Sequence, residues 1–297
     1  VMQVEVVLAL ISVCSAYFSV DFTRWLDKHH GIGARQRIER SDLAGKGSFG
    51  GREHANQTLS RNPVVFVQGV SNVAGRMMME AAKHYRKNGS TFAELYATTY
   101  DNPHGDPLRW MQYRMKCDHI KRVRFLIEAV HQYTGRRVDV VSFSMGVPIS
   151  RKAILGGRCV DNNDDLGGRI SKQMGSFVGV AGPNKGVAPV IMGLPYALCA
   201  MSPMIPVCNP IDGFFSGFCP FKSRFVDDIN RRQHYEGQRV FSIGSMADEV
   251  VGHFLCGEVT TRIGAQDGEK IFTSRKHDET FVTSYDTQLA MLGGRAF

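Results

Sequence analysis

The stretch RVDVVSFSMGVPISRKAIL, residues 137–155, decides the fold. Its first part, RVDVVSF, is dense in β-branched residues and reads as a buried strand. Its last part, from Gly146 to Leu155, reads as a helix. Only Ser144 and Met145 stand between them, so the chain turns sharply from strand to helix with Ser144 on the turn. Such a turn exposes a hydroxyl at the end of a sheet, and it needs small neighbours because the backbone doubles back on itself. Ser142 and Gly146 meet that need. A bare SxSxG pentapeptide says little; its place between strand and helix makes Ser144 a candidate nucleophile.

Working outward, short apolar runs alternate with longer amphipathic segments from Pro63 onward. PVVFVQG (63–69), FAELYATTY (92–100), SFVGVAG (176–182) and RVFSIGS (239–245) read as strands, and 72–87, 117–133 and 279–292 as helices. In the second helix Ile120, Val123, Leu126, Ile127 and Val130 form the apolar stripe, with Lys121, Arg122 and Arg124 largely off it. This alternation predicts an α/β fold, a mostly parallel central sheet flanked by helices. Residues 17–62, polar and Gly-rich with aromatic anchors at Phe22 and Trp25, read as an irregular N-terminal arm packed on a 63–297 catalytic core. Within the arm GKGSFG (45–50) follows no strand and opens no helix, which excludes a dinucleotide fingerprint. The other motifs of a kinase are missing from the chain. Residues 183–222 hold most of the prolines and three cysteines, with no period. They form a Cys/Pro-rich excursion, either stapled by disulfides or serving as an apolar rim or lid over a site.

A serine hydroxyl is a weak nucleophile at neutral pH. It needs a histidine to take its proton and an acid to orient the imidazolium. Asp248 comes three residues after the 239–245 strand, at the end of the sheet where sites of open α/β folds lie. His277 falls in SRKHDET, just before the last helix. Asp267 and Asp278 are reserve acids; His234 precedes the acid and His253 follows it too closely. Attack on a carbonyl also needs donors for the oxyanion, for which the backbone amides of Val70 and Met145 stand in the right places.

The 297 residues are 43% hydrophobic and 22% charged, with a net charge of +8. That excludes disorder and collagen, and the short basic clusters mixed with acids give no nucleic-acid stripe. Residues 4–20 are apolar but too short and mixed to span a bilayer. With small residues before a cleavage point after Ala16 they read as a signal peptide, residues 1–16. Without Cys14, six cysteines remain: Cys117, Cys159, Cys199, Cys208, Cys219 and Cys256. No zinc spacing is present, and an even set suits an oxidised, secreted domain, with fifteen pairings open. Asn56-Gln57-Thr58 and Asn88-Gly89-Ser90 are glycosylation acceptors. The run from Asp161 to Asp165 lacks the glycine and glutamate placement of a calcium loop and reads as a solvated turn. No metal or cofactor is expected.

PVVFVQGVSN, VDVVSFSMGVPISRKAILGG, VGVAGPNKG, FSIGSMADEVVG and HDETFVTSYDTQLAMLGG, in that order, resemble the class 2 lipase family of α/β-hydrolases. DFTRWLDKHHG and DLAGKGSFGG resemble the arm of its secreted nematode lipase-like branch. The resemblance covers essentially the whole mature chain. It implies an α/β-hydrolase fold, with Ser144 as nucleophile, Asp248 as acid, His277 as base, and Val70 and Met145 as oxyanion amides. It further implies a lipid ester substrate, met at a lipid–water interface. Two positions depart from the family: Gln68 stands before Gly69 where the family has His, and Ser142 stands where it has Gly. The competing reading is a catalytically silent lipid-binding or adhesion protein on the same scaffold; an amidase or thioesterase using the same residues is a weaker third.

Overall fold

The computed structural model describes residues 17–102, 111–188, 190–191, 194–195, 199, 204–214 and 219–296. The expected leader lies outside them, as do parts of the 183–222 excursion and of the turn expected at 102–107.

Seven strands form the central sheet: β1 (Ser48–Phe49), β2 (Val64–Val67), β3 (Leu95–Thr98), β4 (Val138–Phe143), β5 (Met174–Val180), β8 (Arg239–Ser245) and β11 (Gly268–Phe272). Their spatial order is β1-β3-β2-β4-β5-β8-β11, parallel throughout except for β1. Two small antiparallel pairs stand apart, β6 (Val190–Ile191) with β7 (Leu194–Pro195) and β9 (Phe254–Leu255) with β10 (Glu258–Val259). β4 lies in the centre and is buried on both faces, which is why it reads as a continuous apolar run. Its side chains alternate between two cores. Val138 and Val140 join the one under α4 (Cys117–Thr134), α5 (Gly146–Leu155) and α6 (Arg224–Asn230), while Val141 and Phe143 join the one under α3 (Met79–Lys87).

Several expectations are corrected. The arm is not irregular: it forms α1 (Val20–His30), N-capped by Ser19, and α2 (Ile32–Glu39). Phe22 and Leu26 bury completely, and the Phe22 ring meets Phe18, Trp25, Tyr96 and Tyr133. The rejected glycine motif supplies the edge strand β1, with Ser48 opposite Thr98. The second strand is preceded by a 3-10 turn at Phe92–Glu94, closed by the Thr91–Glu94 capping box. The helix expected at 72–87 opens with a π turn, Ala74–Met78. Arg124, placed off the α4 stripe, is buried and donates to the carbonyls of Ala153 (2.8 Å) and Gly168 (2.7 Å), tying α4 to α5. The closing helix is two, α7 (His277–Val282) and α8 (Tyr285–Gly293), broken at Thr283 and Ser284.

The six cysteines pair as Cys117–Cys159, Cys199–Cys208 and Cys219–Cys256. The first joins the start of α4 to the loop after α5. The last joins the end of the excursion to the β9–β10 turn.

Candidate active site

β4 ends at Phe143 and α5 begins at Gly146, and the connecting turn holds Ser144 at φ 52°. A non-glycine residue in this left-handed region is strained and persists only where its surroundings over-determine it. Here they do. The Ser144 amide donates to the Val180 carbonyl of β5 at 2.8 Å. A Cβ on Gly146 would sit 2.4 Å from the Gln68 carbonyl oxygen, and one on Gly182 would sit 2.6 Å from the Val147 Cβ. The elbow is therefore wedged between the ends of β2 and β5, and only glycine fits at both points.

His277 Nε2 lies 2.9 Å from Ser144 Oγ, and its Nδ1 lies 2.8 Å from Asp248 Oδ2. The three side chains converge from the carboxyl ends of β4, β8 and β11, as the topology of an open α/β sheet dictates. All three are buried. Asp248 Oδ1 accepts the amides of Val250 (3.0 Å) and Val251 (2.8 Å). Burial pushes its carboxyl upward, but the His277 hydrogen bond and charge and those two amides outweigh it and hold the group below its ordinary value. Asp248 is thus an anion in place, aimed at one imidazole nitrogen. His277 is set from three sides: Phe143 packs on its ring at 5.0 Å between centroids, the Glu249 carboxylate accepts its amide at 3.1 Å, and the Lys276–Glu279 capping box fixes the start of α7.

The reserve candidates go elsewhere. Asp267 pairs with His234 at 3.0 Å on the surface, and Asp278 is exposed. His253 is half-buried and its imidazole is pushed down by that burial.

The oxyanion candidates flank the serine. Met145 follows it at the N-terminus of α5, where helix amides have no partner within the helix. Val70 follows Gly69, whose backbone presses so close that a Cβ would stand 2.9 Å from the Ser144 Cβ.

Both departures from the family pattern are accommodated. Ser142, fully buried, donates to Ser150 Oγ at 2.8 Å, and Ser150 in turn donates to the Gly146 carbonyl at 2.7 Å. The extra hydroxyl therefore braces the first turn of α5. Gln68 is also fully buried; oriented to match its neighbours, its amide donates to the Thr98 carbonyl and accepts the Tyr100 amide, both at 3.1 Å. It ties the end of β2 to the end of β3.

Sequence reasoning missed a buried network behind α5. Arg151 donates to Glu236 (2.8 Å), Asn184 (3.1 Å), Asn230 (3.3 Å) and the Ile229 carbonyl (2.8 Å), and both Arg151 and Glu236 are inaccessible. The only hint was Asn184 in the VGVAGPNKG motif. Among the described residues, one acid–cysteine group, Cys117, Cys159 and Asp161, has metal-ligand spacing, but its sulfurs are bonded to each other. No helix among them is long and apolar enough to cross a membrane.

A parallel sheet with a strained serine at its central elbow, linked through histidine to an aspartate, defines the α/β-hydrolase fold class. Solved structures agree on the fold. Lipase BlEst2 of Bacillus licheniformis in its propeptide form superposes with a TM-score of 0.53 at 15% identity, over 84% of this chain and 53% of that one. The metagenome-derived lipolytic enzymes LipS and LipT give 0.51 at 11% identity, over 84% and 98%. No curated protein sequence matches the chain. The model of the family Lipase (class 2) matches residues 61–290. The protein belongs to that family, and with it to the carboxylic ester hydrolases.

Proposed function

We propose that the protein is an exported hydrolase of lipid carboxylic esters, acylglycerols or their relatives, acting through an acyl-enzyme on Ser144. The observation that carries this reading is the continuous hydrogen-bond chain from Ser144 through His277 to Asp248. Ser144 Oγ attacks the ester carbonyl while His277 Nε2 takes its proton; Asp248 balances the imidazolium. The oxygen of the tetrahedral intermediate accepts from the Val70 and Met145 amides. Collapse breaks the bond to the alcohol, which leaves with the proton from His277. Water then gives a proton to His277 and attacks the acyl carbon. The second collapse returns that proton to Ser144 and frees the acid.

Export is supported by the pairing of all six cysteines outside the leader and by the exposure of Asn56 and Asn88 in the glycosylation triplets. The nematode branch remains part of the proposal, on the arm motifs. Hydrolysis of p-nitrophenyl esters from butyrate to palmitate by the oxidised protein and its Ser144→Ala variant tests the reading. Expected is turnover that falls at least 10³-fold in the variant, with long chains preferred. Equal rates for both proteins would sink it.

A further inference from the structure

We propose that Asp101 is a positioning residue for the oxyanion: its buried carboxylate steadies the turn through Ser71 and so aims the Val70 amide at the developing charge. The proposal rests on the ester-hydrolase reading and deepens it.

The turn after β2 is fixed at both ends and strained in the middle. At its start Gly69 is pressed against Ser144. At its end the Ala74 amide donates to Thr99 Oγ1 at 3.0 Å, and the Gly75 amide to the Lys46 carbonyl of the arm at 2.9 Å. Between them Ser71 sits at φ 58°, a left-handed position that a serine holds only under constraint. No glycine relieves that strain, so something must hold the residue next to Val70 in place.

Asp101 lies where it does this. It is 1% exposed, and its own backbone amide, the Tyr113 hydroxyl and the Ser71 amide all favour the ionised carboxyl. Neither carboxylate oxygen closes a hydrogen bond of ordinary geometry among the described residues, and the Ser71 hydroxyl is likewise buried without a partner. Hydrogen bonds that serve a transition state are often long in the resting enzyme and tighten on substrate binding. An acid this deeply buried with its bonds unmade is costly, and natural chains retain such a group where function needs it.

Its surroundings hold the backbone around it firmly. Arg40, reaching from the arm, donates to the carbonyls of Thr99 (2.8 Å) and Asp101 and to Asn102 Oδ1 (3.2 Å), while Asp42 grips the same guanidinium. The charged and titratable groups facing the carboxyl are Arg40, Arg122, Tyr100 and Tyr113. Burial wins over Asp101's own backbone amide, Tyr113, Arg40 and Ser71, and raises the carboxyl to about 6. Above that pH the anion is a strong acceptor for the Ser71 amide; below it the neutral acid is a weaker one. A carboxyl raised on folding costs stability as pH climbs from about 4 through 6, so removing its charge relieves the fold at neutral pH.

The experiment compares wild type, Asp101→Asn, Asp101→Glu and Ser144→Ala on p-nitrophenyl butyrate from pH 4.5 to 9, with melting temperatures at pH 8. Expected for Asp101→Asn is a kcat lower by at least tenfold with KM within threefold. The advantage of wild type over Asp101→Asn should shrink as pH falls through about 6, where the carboxyl of wild type takes up its proton and accepts no better than an amide. The melting temperature of Asp101→Asn should equal or exceed wild type, and Asp101→Glu should recover part of kcat. Unchanged kcat in Asp101→Asn, or a loss that comes with a lower melting temperature or failure to fold, overturns the role of Asp101 alone. No Ser144-dependent turnover in wild type overturns the ester-hydrolase reading and this one together.

Discussion

At the residue scale, the site depends on atoms that are missing as much as on those present. Gly69 lies so near Ser144 that one added methyl must move either Ser144 or the turn through Val70. Gly69→Ala is therefore expected to lower kcat 10- to 100-fold, as small misplacements at a reacting centre do, while the melting temperature stays within a few degrees. Steady-state kinetics beside a thermal melt checks it; full activity would mean that the turn yields freely. The meeting of Ser144, His277 and Asp248 was legible because a serine on a strand-to-helix elbow has a local signature, and chain order and strand ends constrain the other two. Asp101 was not, nor were the bonds that Gln68 makes. Their neighbours, Ser71 and Tyr113 for the one and Thr98 and Tyr100 for the other, become neighbours only when β2 and β3 lie side by side.

At the scale of elements, α5 follows the Ser144 elbow and carries a buried ion pair on its flank. Removing one partner of such a pair leaves a bare charge in the interior, at a cost of roughly 3–5 kcal/mol. Arg151→Ala should lose about that much in a urea titration, whereas Arg151→Met combined with Glu236→Leu should recover most of it. A single variant as stable as wild type would show that Glu236 finds another partner. One strand was missed and the arm was misread, for different reasons. β11 reads GEKIF and is half-buried at the sheet edge, so it lacks the continuous apolar run that announced β4. The helices of the arm are short, with α2 carrying little apolar surface, and glycines flank and interrupt the pattern. Tertiary packing of Phe22 and Leu26 makes them helical, which a local reading of propensity does not weigh.

At the scale of the whole molecule, the sheet order and the disulfides divide the labour. The sheet brings Ser144, Asp248 and His277 together from separations of 29 and 133 residues. The disulfides fasten what the sheet does not reach. Cys117–Cys159 spans 42 residues, and closing a loop of that length removes unfolded-state entropy worth roughly 4 kcal/mol. The α/β class was readable from alternation alone; the pairing of the cysteines was not, since spacing leaves fifteen choices and only the fold brings partners within reach.

The bridge Cys219–Cys256 turns the segment between its ends into a covalent ring that encloses α6, β8 and Asp248. A protease that cuts once within this ring opens it without detaching anything. The nicked molecule keeps the fragment that carries Asp248 attached through the bridge, and a non-reducing gel should show one band where a reducing gel shows two. Cleavage at an exposed position of the ring, such as Arg231-Arg232, should then leave much of the hydrolytic activity in place. That is tolerance to a single cut written into the connectivity of the chain.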